Sequence, residues 1–264
     1  MNLMVTVPHS GEQIPDEVHW LKRLPALTLL TDVDRFVDQL YRPVCQGLAI
    51  PLVGTEIHRY VVDLNRFPTD IDATSVEGAP LSSQATQAEF VSGFHWTKTT
   101  LGESLLSQPI SQELHALLTL KYHDPFHTQV ANVEAILSEN GGPRYHLDLH
   151  SMPSVGKGAH KDSGQRRPDI VVSDCLGKSS SEIYKNLVIE AFSRQKFQVT
   201  YNWPYQGGRI TERYGHPKEN RHTLQIELNR ALYMDEKTKE KSSHFENTAE
   251  RLGIALREIH MLKI

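Results

Sequence analysis

The sequence predicts an α/β fold, a three-layer sandwich in which a mixed, mostly parallel central sheet lies between layers of helices. Three observations predict it. Short apolar runs rich in β-branched residues recur along the chain, amphipathic helical stretches lie between them, and polar residues stand where several runs end. Strands that alternate with helices favour a sheet covered on both faces. Because ligands of such sheets bind beyond the carboxyl ends of the strands, the polar residues at those ends are candidates for a site.

Seven runs have the composition of strands. Each is short, mostly apolar and followed or preceded by residues that favour turns. They cover residues 2–7, 50–53, 60–64, 144–150, 168–174, 197–202 and 222–229. The polar residues at their carboxyl ends are His9, Asn65, His150, Ser173 and Asn229.

Helical spacing of apolar residues predicts helices between these strands and after the last one. The pattern over residues 111–138 contains Pro125, which predicts a kink or break because proline removes a helical hydrogen bond and clashes with the preceding turn. Two further stretches each place apolar residues on one face: Ile183, Leu187, Ala191 and Phe192 in the first, and Phe245, Ala249, Leu252, Leu256 and Ile259 in the second.

The length of the chain suits one large domain. With 264 residues, 39% of them hydrophobic, we expect residues 1–264 to form a single catalytic domain. The stretch 67–100 is rich in Pro, Gly, Ser and Thr, and we expect it to form a long irregular excursion. Long ordered loops are often functional, so this stretch is a candidate for one wall of a binding site.

Charge and composition argue against several classes of partner. The formal net charge is −4, and no block of like charges is long enough for a nucleic-acid-binding arm. No apolar run approaches the roughly 18 residues of a membrane span. The two cysteines, Cys45 and Cys175, are too few for a disulfide framework. We therefore expect a cytoplasmic protein that acts on a small molecule, with a periplasmic location open if a leader was removed.

Two strand ends carry metal-ligand residues. His9 and Glu12 follow the first strand, and His150 ends the strand at 144–150. Two imidazoles and one carboxylate are the protein ligands of many catalytic zinc sites, which keep a fourth position for water. The alternative is a turn of solvated polar residues after the first strand. The convergence of three such side chains on one sheet edge favours a zinc site, with another divalent metal possible.

A general base is also available. Glu227 lies inside an apolar strand run, which is unusual for a charged residue unless it is paired or functional. It could take a proton from an attacking water molecule and later pass it to the leaving amine. The alternative is a buried ion pair with an arginine.

The chain resembles the zinc carboxypeptidases and their aminoacylase-like relatives in these features, and it is much more similar to the N-formylglutamate amidohydrolase family. The similar segments occur in the order of that family and cover nearly the whole chain to about Glu236. They are PHSGEQIP, TDVDRFVDQLY, HRYVVDLNR, YHDPFH, LDLHSMPS, RPDIVVSD, YQGGRITERYG and LQIELNRALYMDE. The resemblance implies a carboxypeptidase-like (phosphorylase/hydrolase-like) fold and hydrolysis of the amide of an N-acylated acidic amino acid, N-formyl-glutamate first.

The third metal ligand is the part of the resemblance that leaves alternatives. Many relatives carry a small or basic residue where this chain has Glu12. The carboxylate could instead come from Asp32, Asp34 or Asp38 in the segment TDVDRFVD. We expect Glu12, because three-residue spacing in a tight loop lets both side chains reach one ion.

Arginines in the motif segments predict a site for carboxylates. Arg59 is the candidate for oxyanion stabilisation beside the metal, and Arg66 suits bidentate carboxylate binding. The glycines of QGGRIT allow close approach of backbone to a ligand. The other candidates for substrate binding are Asn65, His127, Gly208, Arg209, Thr211 and Arg213.

Two other functions fit the same residues. A metallocarboxypeptidase acting on peptides or cell-wall fragments would need the same metal and base, and the excursion could build or block its cleft. A non-catalytic binding module of the same fold could keep the pocket, although the presence of both His150 and Glu227 argues against it.

Overall fold

A computed structural model describes residues 1–80, 93–158 and 160–262. A six-stranded sheet runs through the molecule in the order β2-β1-β3-β6-β4-β5. All neighbouring strands are parallel except β4 and β6, which are antiparallel. The strands are β1 Asn2–Val7, β2 Leu52–Gly54, β3 Arg144–Met152, β4 Ile170–Ser173, β5 Val199–Tyr201 and β6 Arg221–Asn229. This is the mixed, mostly parallel sheet that the sequence predicts.

Helices cover both faces of the sheet and give three layers. The α-helices are α1 Ala26–Leu29, α2 Val37–Gly47, α3 Gln112–Leu118, α4 Asp124–Glu139, α5 Glu182–Arg194, α6 Arg209–Tyr214 and α7 Phe245–His260. A π-helical turn, Thr119–His123, joins α3 to α4. Helices α2, α5 and α7 pack with Leu147, Leu149 and their neighbours into one core. Helices α3, α4 and α6 contribute to a second core, which contains Met4 and Val53.

Six of the seven predicted strands are confirmed, and the seventh is wrong. Residues 60–64 are buried, but they form turns rather than a strand. Their backbone groups do not pair with a neighbouring strand: Val61 N donates to His58 O in a turn, and Asp63 N donates to Phe94 O in a distant loop. Apolar residues that are buried by a loop from elsewhere in the chain thus give the same sequence pattern as a buried strand.

The helix predictions are confirmed with one shift of face. Pro125 lies in the first turn of α4, directly after the π-helical turn, so the predicted break occurs there. Helix α5 buries Tyr184 and Val188 together with the predicted Ala191 and Phe192, whereas Ile183 is exposed.

The described parts of the excursion, residues 67–80 and 93–100, contain neither helix nor strand. Residues 81–92 of this prediction lie outside the described residues. The segment 93–100 returns to the sheet and delivers Trp96 and Thr100 to a cavity at its carboxyl edge. Within the described ranges, no helix combines the length and the apolar character that crossing a membrane would require.

Candidate active site

Three adjacent strands deliver the central side chains of the site. Strands β1, β3 and β6 are parallel neighbours, so their carboxyl ends meet at one edge of the sheet. His9 lies two residues after β1, while His150 and Glu227 lie near the ends of β3 and β6. His150 and Glu227 are paired in the register of the two strands. The topology thus brings together three residues that are distant in the sequence.

His9, His150 and Asp34 form a compact cluster. The two Nδ1 atoms of the histidines lie 3.1 Å apart. Asp34 Oδ2 is 3.5 Å from Nδ1 of His9 and 3.2 Å from Nδ1 of His150. All three side chains are buried. The ligand atoms lie within 4.8 Å of one another, as a metal site requires.

The outer nitrogen of each imidazole is held by a further carboxylate. His9 Nε2 is 2.7 Å from Asp63 Oδ1, and His150 Nε2 is 2.8 Å from Asp148 Oδ2. When the imidazole is neutral, a carboxylate at Nε2 keeps the proton on that nitrogen and directs the Nδ1 lone pair at the cluster, where it can bind a cation. This carboxylate–histidine arrangement is the usual support of a metal-binding histidine.

Asp34 is oriented by groups on its other oxygen. Its Oδ1 accepts hydrogen bonds from Arg230 Nη2 at 3.0 Å and from Ser151 Oγ at 3.1 Å, which leaves Oδ2 for the histidines. Burial alone would raise the pKa of Asp34. The hydrogen bonds from His150 and His9 and the charge of Arg59 outweigh burial and hold the pKa well below its usual range. Asp34 is therefore ionised, and its carboxylate is suited to bind a cation.

The charges around the cluster favour a divalent cation. Burial alone would lower the pKa of His150, but Asp148 and Asp34 outweigh it and raise the pKa well above its usual range. The site thus takes up positive charge, as a proton or as a metal ion. Five carboxylates stand against three guanidinium groups here: Asp32, Asp34, Asp63, Asp148 and Glu227 against Arg59, Arg66 and Arg230. With neutral imidazoles and an ionised Glu227, one divalent ion would balance the five carboxylates against the three guanidinium groups.

Glu12 does not join this cluster, so the expected third ligand is corrected. Its carboxylate is 41% exposed and pairs with Arg35 Nε at 2.7 Å. Gly11 packs so closely on the backbone of Glu56 that an added Cβ would lie 2.4 Å from its carbonyl carbon. Gln13 N then donates to Glu56 O, so the chain runs along this segment and turns Glu12 outward. The carboxylate at the histidines belongs to Asp34, one of the three aspartates that the sequence left open.

Glu227 is buried beside the cluster and faces a cavity. Burial raises its pKa to about 7, and the charge of His150 only partly opposes that effect. Gln225 Nε2 donates to Glu227 Oε1 at 2.9 Å. A carboxyl group with a pKa near neutrality can both accept and donate a proton, which is the requirement for general acid–base catalysis.

The cavity has a volume of about 230 Å³ and contains most of the predicted site residues. The predicted residues on its wall are His9, Arg59, Asn65, Arg66, His150, Gly208 and Glu227. Sequence analysis missed, or left as an alternative, Asp32, Asp34, Trp96, Thr100, Ser151, His160, Tyr205, Gln225 and Arg230.

Arg59 is held rigidly at the cavity wall. Its Nη2 donates to Asp63 Oδ2 at 2.9 Å, its Nη1 donates to the carbonyl of Asp32, and its guanidinium carbon lies 4.6 Å from the ring centroid of Trp96. Asp63 therefore fixes both Arg59 and His9. An arginine held in this way presents a preorganised positive charge to a ligand.

Asn65 and Gly208 form another part of the wall. Asn65 Oδ1 accepts from the backbone N–H of Ile210 in the first turn of α6. A Cβ on Gly208 would lie 2.2 Å from Asn65 Nδ2, so any larger residue would displace the Asn65 amide. Arg66 lies beside them on the cavity wall, where its Nη1 donates to the carbonyl of Asn65.

Four other predicted residues lie outside the described cavity wall. Arg209 pairs with both oxygens of Asp70, and Arg213 is exposed on α6. Thr211 and His127 are buried; the histidine bonds to Tyr214 Oη and to the carbonyl of Leu64. The segments that carry these four residues lie next to the site, but the four side chains do not line the described cavity wall.

Some of the missed residues left a signal in the sequence. Asp148 stands two residues before His150 in a strand, so both side chains point to one face. Asp63 is a charged residue in an apolar run, the same kind of signal that identified Glu227. Trp96, Thr100 and His160 lie in irregular segments, where no periodicity indicates direction.

The fold and this cavity define an α/β protein with a buried candidate active site of histidines and carboxylates at the carboxyl edge of its sheet. Comparison with known proteins places the chain within that class. It belongs to the N-formylglutamate amidohydrolase family, whose model matches residues 1–234.

Several relatives share most of the chain. It is 28% identical over 235 residues to an N-formylglutamate deformylase of Pseudomonas aeruginosa, which covers 89% of this chain and 82% of the relative. It is 26% identical over 264 residues to an N-formylglutamate deformylase of Pseudomonas putida, which covers 97% of this chain and 90% of the relative. The crystal structure of the N-formylglutamate amidohydrolase of Ralstonia eutropha JMP134 superposes with a TM-score of 0.85 at 26% identity, over 98% of this chain and 93% of that one.

Proposed function

We propose that this protein is a zinc-dependent amidohydrolase that removes the acyl group from an N-acylated acidic amino acid, with N-formyl-glutamate as the preferred substrate. The observation that carries the proposal is the pair of Nδ1 atoms facing each other at 3.1 Å with Asp34 beside them. The names of the Pseudomonas relatives support the choice of substrate.

His9, Asp34 and His150 would hold the metal. A bound zinc ion supplies Lewis acidity, which polarises a carbonyl group and lowers the pKa of water. Asp63 and Asp148 hold the two imidazoles in the tautomer that leaves Nδ1 free for the metal. The side chains that are fixed before the ligand arrives need little reorganisation during the reaction.

Glu227 would move the proton. It takes a proton from the attacking water molecule and gives it to the nitrogen of the leaving amino acid, and its raised pKa suits both steps. Arg59 stabilises negative charge that develops on the carbonyl oxygen, because Asp63 and Trp96 already hold its guanidinium group at the cavity wall.

The remaining predicted residues would recognise the substrate or support the site. Arg66 and Asn65, with Gly208 allowing close approach, would bind the carboxylates of the amino acid. Thr211, which accepts from Gly208 N, and His127, which bonds to Leu64 O next to Asn65, would position this wall. Arg213, which is exposed on α6, would attract an anionic substrate from a distance, whereas the charge of Arg209 is neutralised by Asp70 and Glu212 and this arginine would order the segment beside the site.

The experiment combines metal analysis with a substrate panel. Purified protein should contain about one zinc ion per chain and should turn over N-formyl-glutamate. Charged hydrogen bonds are worth about 1.5–3 kcal/mol, so N-formyl-glutamine should have a kcat/KM lower by roughly 10–150-fold. Equal turnover of the two substrates would contradict the proposed specificity. Faster hydrolysis of peptides ending in glutamate would favour a metallocarboxypeptidase, and metal-free protein with full activity would refute the zinc site.

A further inference from the structure

His160 carries a ring nitrogen that is used by no other group in the described part of the chain. The residue lies in the irregular segment between β3 and β4, is half-buried and lines the cavity. Its Nδ1 is hydrogen-bonded, whereas its Nε2 has no partner among the described residues and is not one of their fully enclosed polar atoms. Nε2 is therefore an accessible atom on a side chain of the cavity wall.

The tautomer of His160 follows from its other nitrogen. The backbone N–H of Lys157 donates to His160 Nδ1 at 2.8 Å, and His160 N donates in turn to the carbonyl of Lys157. A ring nitrogen that accepts a hydrogen bond carries no proton, so the neutral ring has its proton on Nε2. Burial and the charge of Arg167 lower the pKa of His160, which favours this neutral form. The group that His160 offers to the cavity is thus an N–H donor.

The segment that carries His160 is held firmly. Arg167 Nε and Nη2 donate to the two carboxylate oxygens of Asp162 at 2.7 and 2.8 Å. Gly156 N donates to Gln165 O at 3.0 Å, and a Cβ on Gly156 would lie 2.1 Å from the carbonyl oxygen of Asp162, so glycine allows two parts of the segment to approach closely. The imidazole is therefore oriented before a ligand binds, which lowers the entropic cost of binding.

Several other donors of the cavity wall are used within the protein. Their N–H and O–H groups donate to carboxylates, carbonyls or hydroxyls of the same chain. These residues are Trp96, Thr100, Ser151 and Arg230. His160 differs from them, because the acceptor for its Nε2–H has to be a ligand or a water molecule.

The position of His160 suits the substrate group that lies far from the bond that breaks. Asn65 Nδ2 is 3.5 Å from Nε2 of His150, and both residues are buried, so this part of the wall is next to the proposed metal ligands. The α-carboxylate of an N-acyl glutamate is on the carbon that bears the amide nitrogen, and it fits there, with Arg66. The side-chain carboxylate is two methylene groups further away and fits the more exposed wall at His160.

The charges around His160 also favour an anion. Lys157 is half-buried and Lys239 is buried, and neither ammonium group forms an ion pair with another described residue. Burial and neighbouring positive charges lower the pKa of both, that of Lys239 to about 8, and Glu236 and Asp32 oppose this effect only in part. Because buried cations without a counterion are costly, a carboxylate bound close to them is stabilised.

We propose that His160 Nε2 donates a hydrogen bond to the side-chain carboxylate of the acidic substrate. The proposal rests on the proposed amidohydrolase function and assigns a residue that determines its specificity. It divides the two carboxylates of the substrate between two parts of the wall, with Asn65 and Arg66 on the α-carboxylate and His160 on the side chain. The contact lies away from the bond that breaks, so it selects the substrate without taking part in proton transfer.

The test compares two substrates that share the acyl group, the α-carboxylate and the bond that breaks. N-formyl-glutamate and N-formyl-norvaline differ only at the end of the side chain, where a methyl group replaces the carboxylate. The measured quantity is the selectivity ratio, the kcat/KM for the glutamate substrate divided by that for the norvaline substrate. A defect in folding, in zinc content or in proton transfer slows both substrates alike and cancels in this ratio.

His160→Asn removes the donor and keeps the contact that holds the segment. The amide oxygen of asparagine is as many bonds from Cα as Nδ1 of histidine, so it can accept from Lys157 N, but no group replaces Nε2. We expect the selectivity ratio to fall by roughly 10–150-fold relative to the unsubstituted enzyme, which corresponds to about 1.5–3 kcal/mol at 1.4 kcal/mol per decade. The substitution changes no charge, so long-range attraction of the substrate is unaffected.

Two further variants serve as controls. The amide nitrogen of glutamine is as many bonds from Cα as Nε2 of histidine, so His160→Gln keeps an N–H donor and the selectivity ratio should stay within about fivefold of the original value. His19 is exposed and lies outside the described cavity wall. The matched control His19→Asn should leave the ratio and the turnover unchanged.

The outcomes distinguish this inference from the proposed function. A lower ratio in His160→Asn, with its retention in His160→Gln, supports the contact. An unchanged ratio in His160→Asn overturns it and assigns Nε2 to a group that both substrates share or to water. Loss of the ratio in both variants also overturns it, because a donor alone would then not suffice. If the unsubstituted enzyme prefers neither substrate, the acidic specificity and this inference are both overturned; if it hydrolyses neither, the proposed function itself is refuted.

Discussion

The two faces of strand β3 differ in chemistry although they alternate along one nine-residue segment. On one face, Leu147 and Leu149 pack without exposure into the core formed with α2, α5 and α7. On the other face, His146, Asp148 and His150 are equally buried, and each makes specific polar contacts. Burial is therefore the same on both faces, and the kind of contact differs.

This difference indicates what each face tolerates. An aliphatic side chain in the core is defined by its volume, so a similar apolar residue can replace it at modest cost. Asp148 is defined by its partners: its Oδ2 holds His150, and its Oδ1 accepts from Thr6 Oγ1 at 2.6 Å. Removal of one partner leaves a buried charged oxygen of Asp148 without its contact. We expect substitutions on the apolar face to change stability and those on the polar face to change metal binding and catalysis.

His150→Ala is the substitution with the largest expected effect on function. It removes one of three ligands and leaves Asp34 and Asp148 without their shared imidazole. We expect loss of the zinc ion and of measurable turnover, with the secondary structure preserved. Elemental analysis, activity and far-UV circular dichroism of the variant test this. Full metal content and turnover would show that the metal lies elsewhere.

Glu227→Gln should have the second-largest effect on function. It keeps the shape of the side chain but removes the group that transfers the proton. General acid–base groups typically contribute about 10²–10⁴-fold, so kcat should fall by that factor while zinc content stays at about one per chain. Steady-state kinetics and metal analysis of the same preparation test this. A loss of metal would make Glu227 a ligand, and an unchanged kcat would leave it a structural residue.

Sequence periodicity could predict the sheet because each strand is one continuous segment, and its pattern of apolar residues is visible in the sequence. Six of the strands and the break before α4 follow from local patterns, since each pattern reports burial of a short segment. Residues 60–64 show the limit of this reasoning. Their burial comes from the segment that contains Phe94, a contact that no local pattern reports.

The candidate site was predictable only where a strand fixed the direction of a side chain. His150 and Glu227 alternate with core residues, so their shared edge follows from the topology. Glu12 and Asp34 lie in irregular segments, where sequence spacing does not determine direction. The packing of Gly11 on Glu56 turns Glu12 outward, and the hydrogen bond from Asp34 N to His9 O brings the aspartate in. Both are contacts between segments distant in the sequence.

Leu149→Ala tests the apolar face directly beside His150. A buried leucine replaced by alanine typically loses about 2–5 kcal/mol, because a cavity remains where the side chain packed. We expect the free energy of unfolding to fall by this amount while zinc content and kcat at low temperature stay near those of the original protein. Urea unfolding at a fixed zinc concentration, with kinetics on the same sample, measures both. A large loss of kcat without a loss of stability would show that the two faces of β3 are not independent.

Glu12→Gln should have the smallest effect, and it is the matched control for Asp34→Asn. Both changes replace a carboxylate by an amide of the same size in segments near His9. Glu12 is exposed and pairs only at the surface, where an ion pair is worth about 0–1 kcal/mol. Loss of this ion pair should leave the zinc affinity within about twofold of that of the unsubstituted protein.

Asp34 is buried with one oxygen directed at both histidines, so Asp34→Asn should weaken zinc binding by at least the roughly 10–100-fold typical of groups outside the ligand set. Competition with a chelator of known affinity measures both variants. The reverse order of effects would return Glu12 to the metal. It would also mean that the segment after β1 can turn inward, against the packing of Gly11 on Glu56.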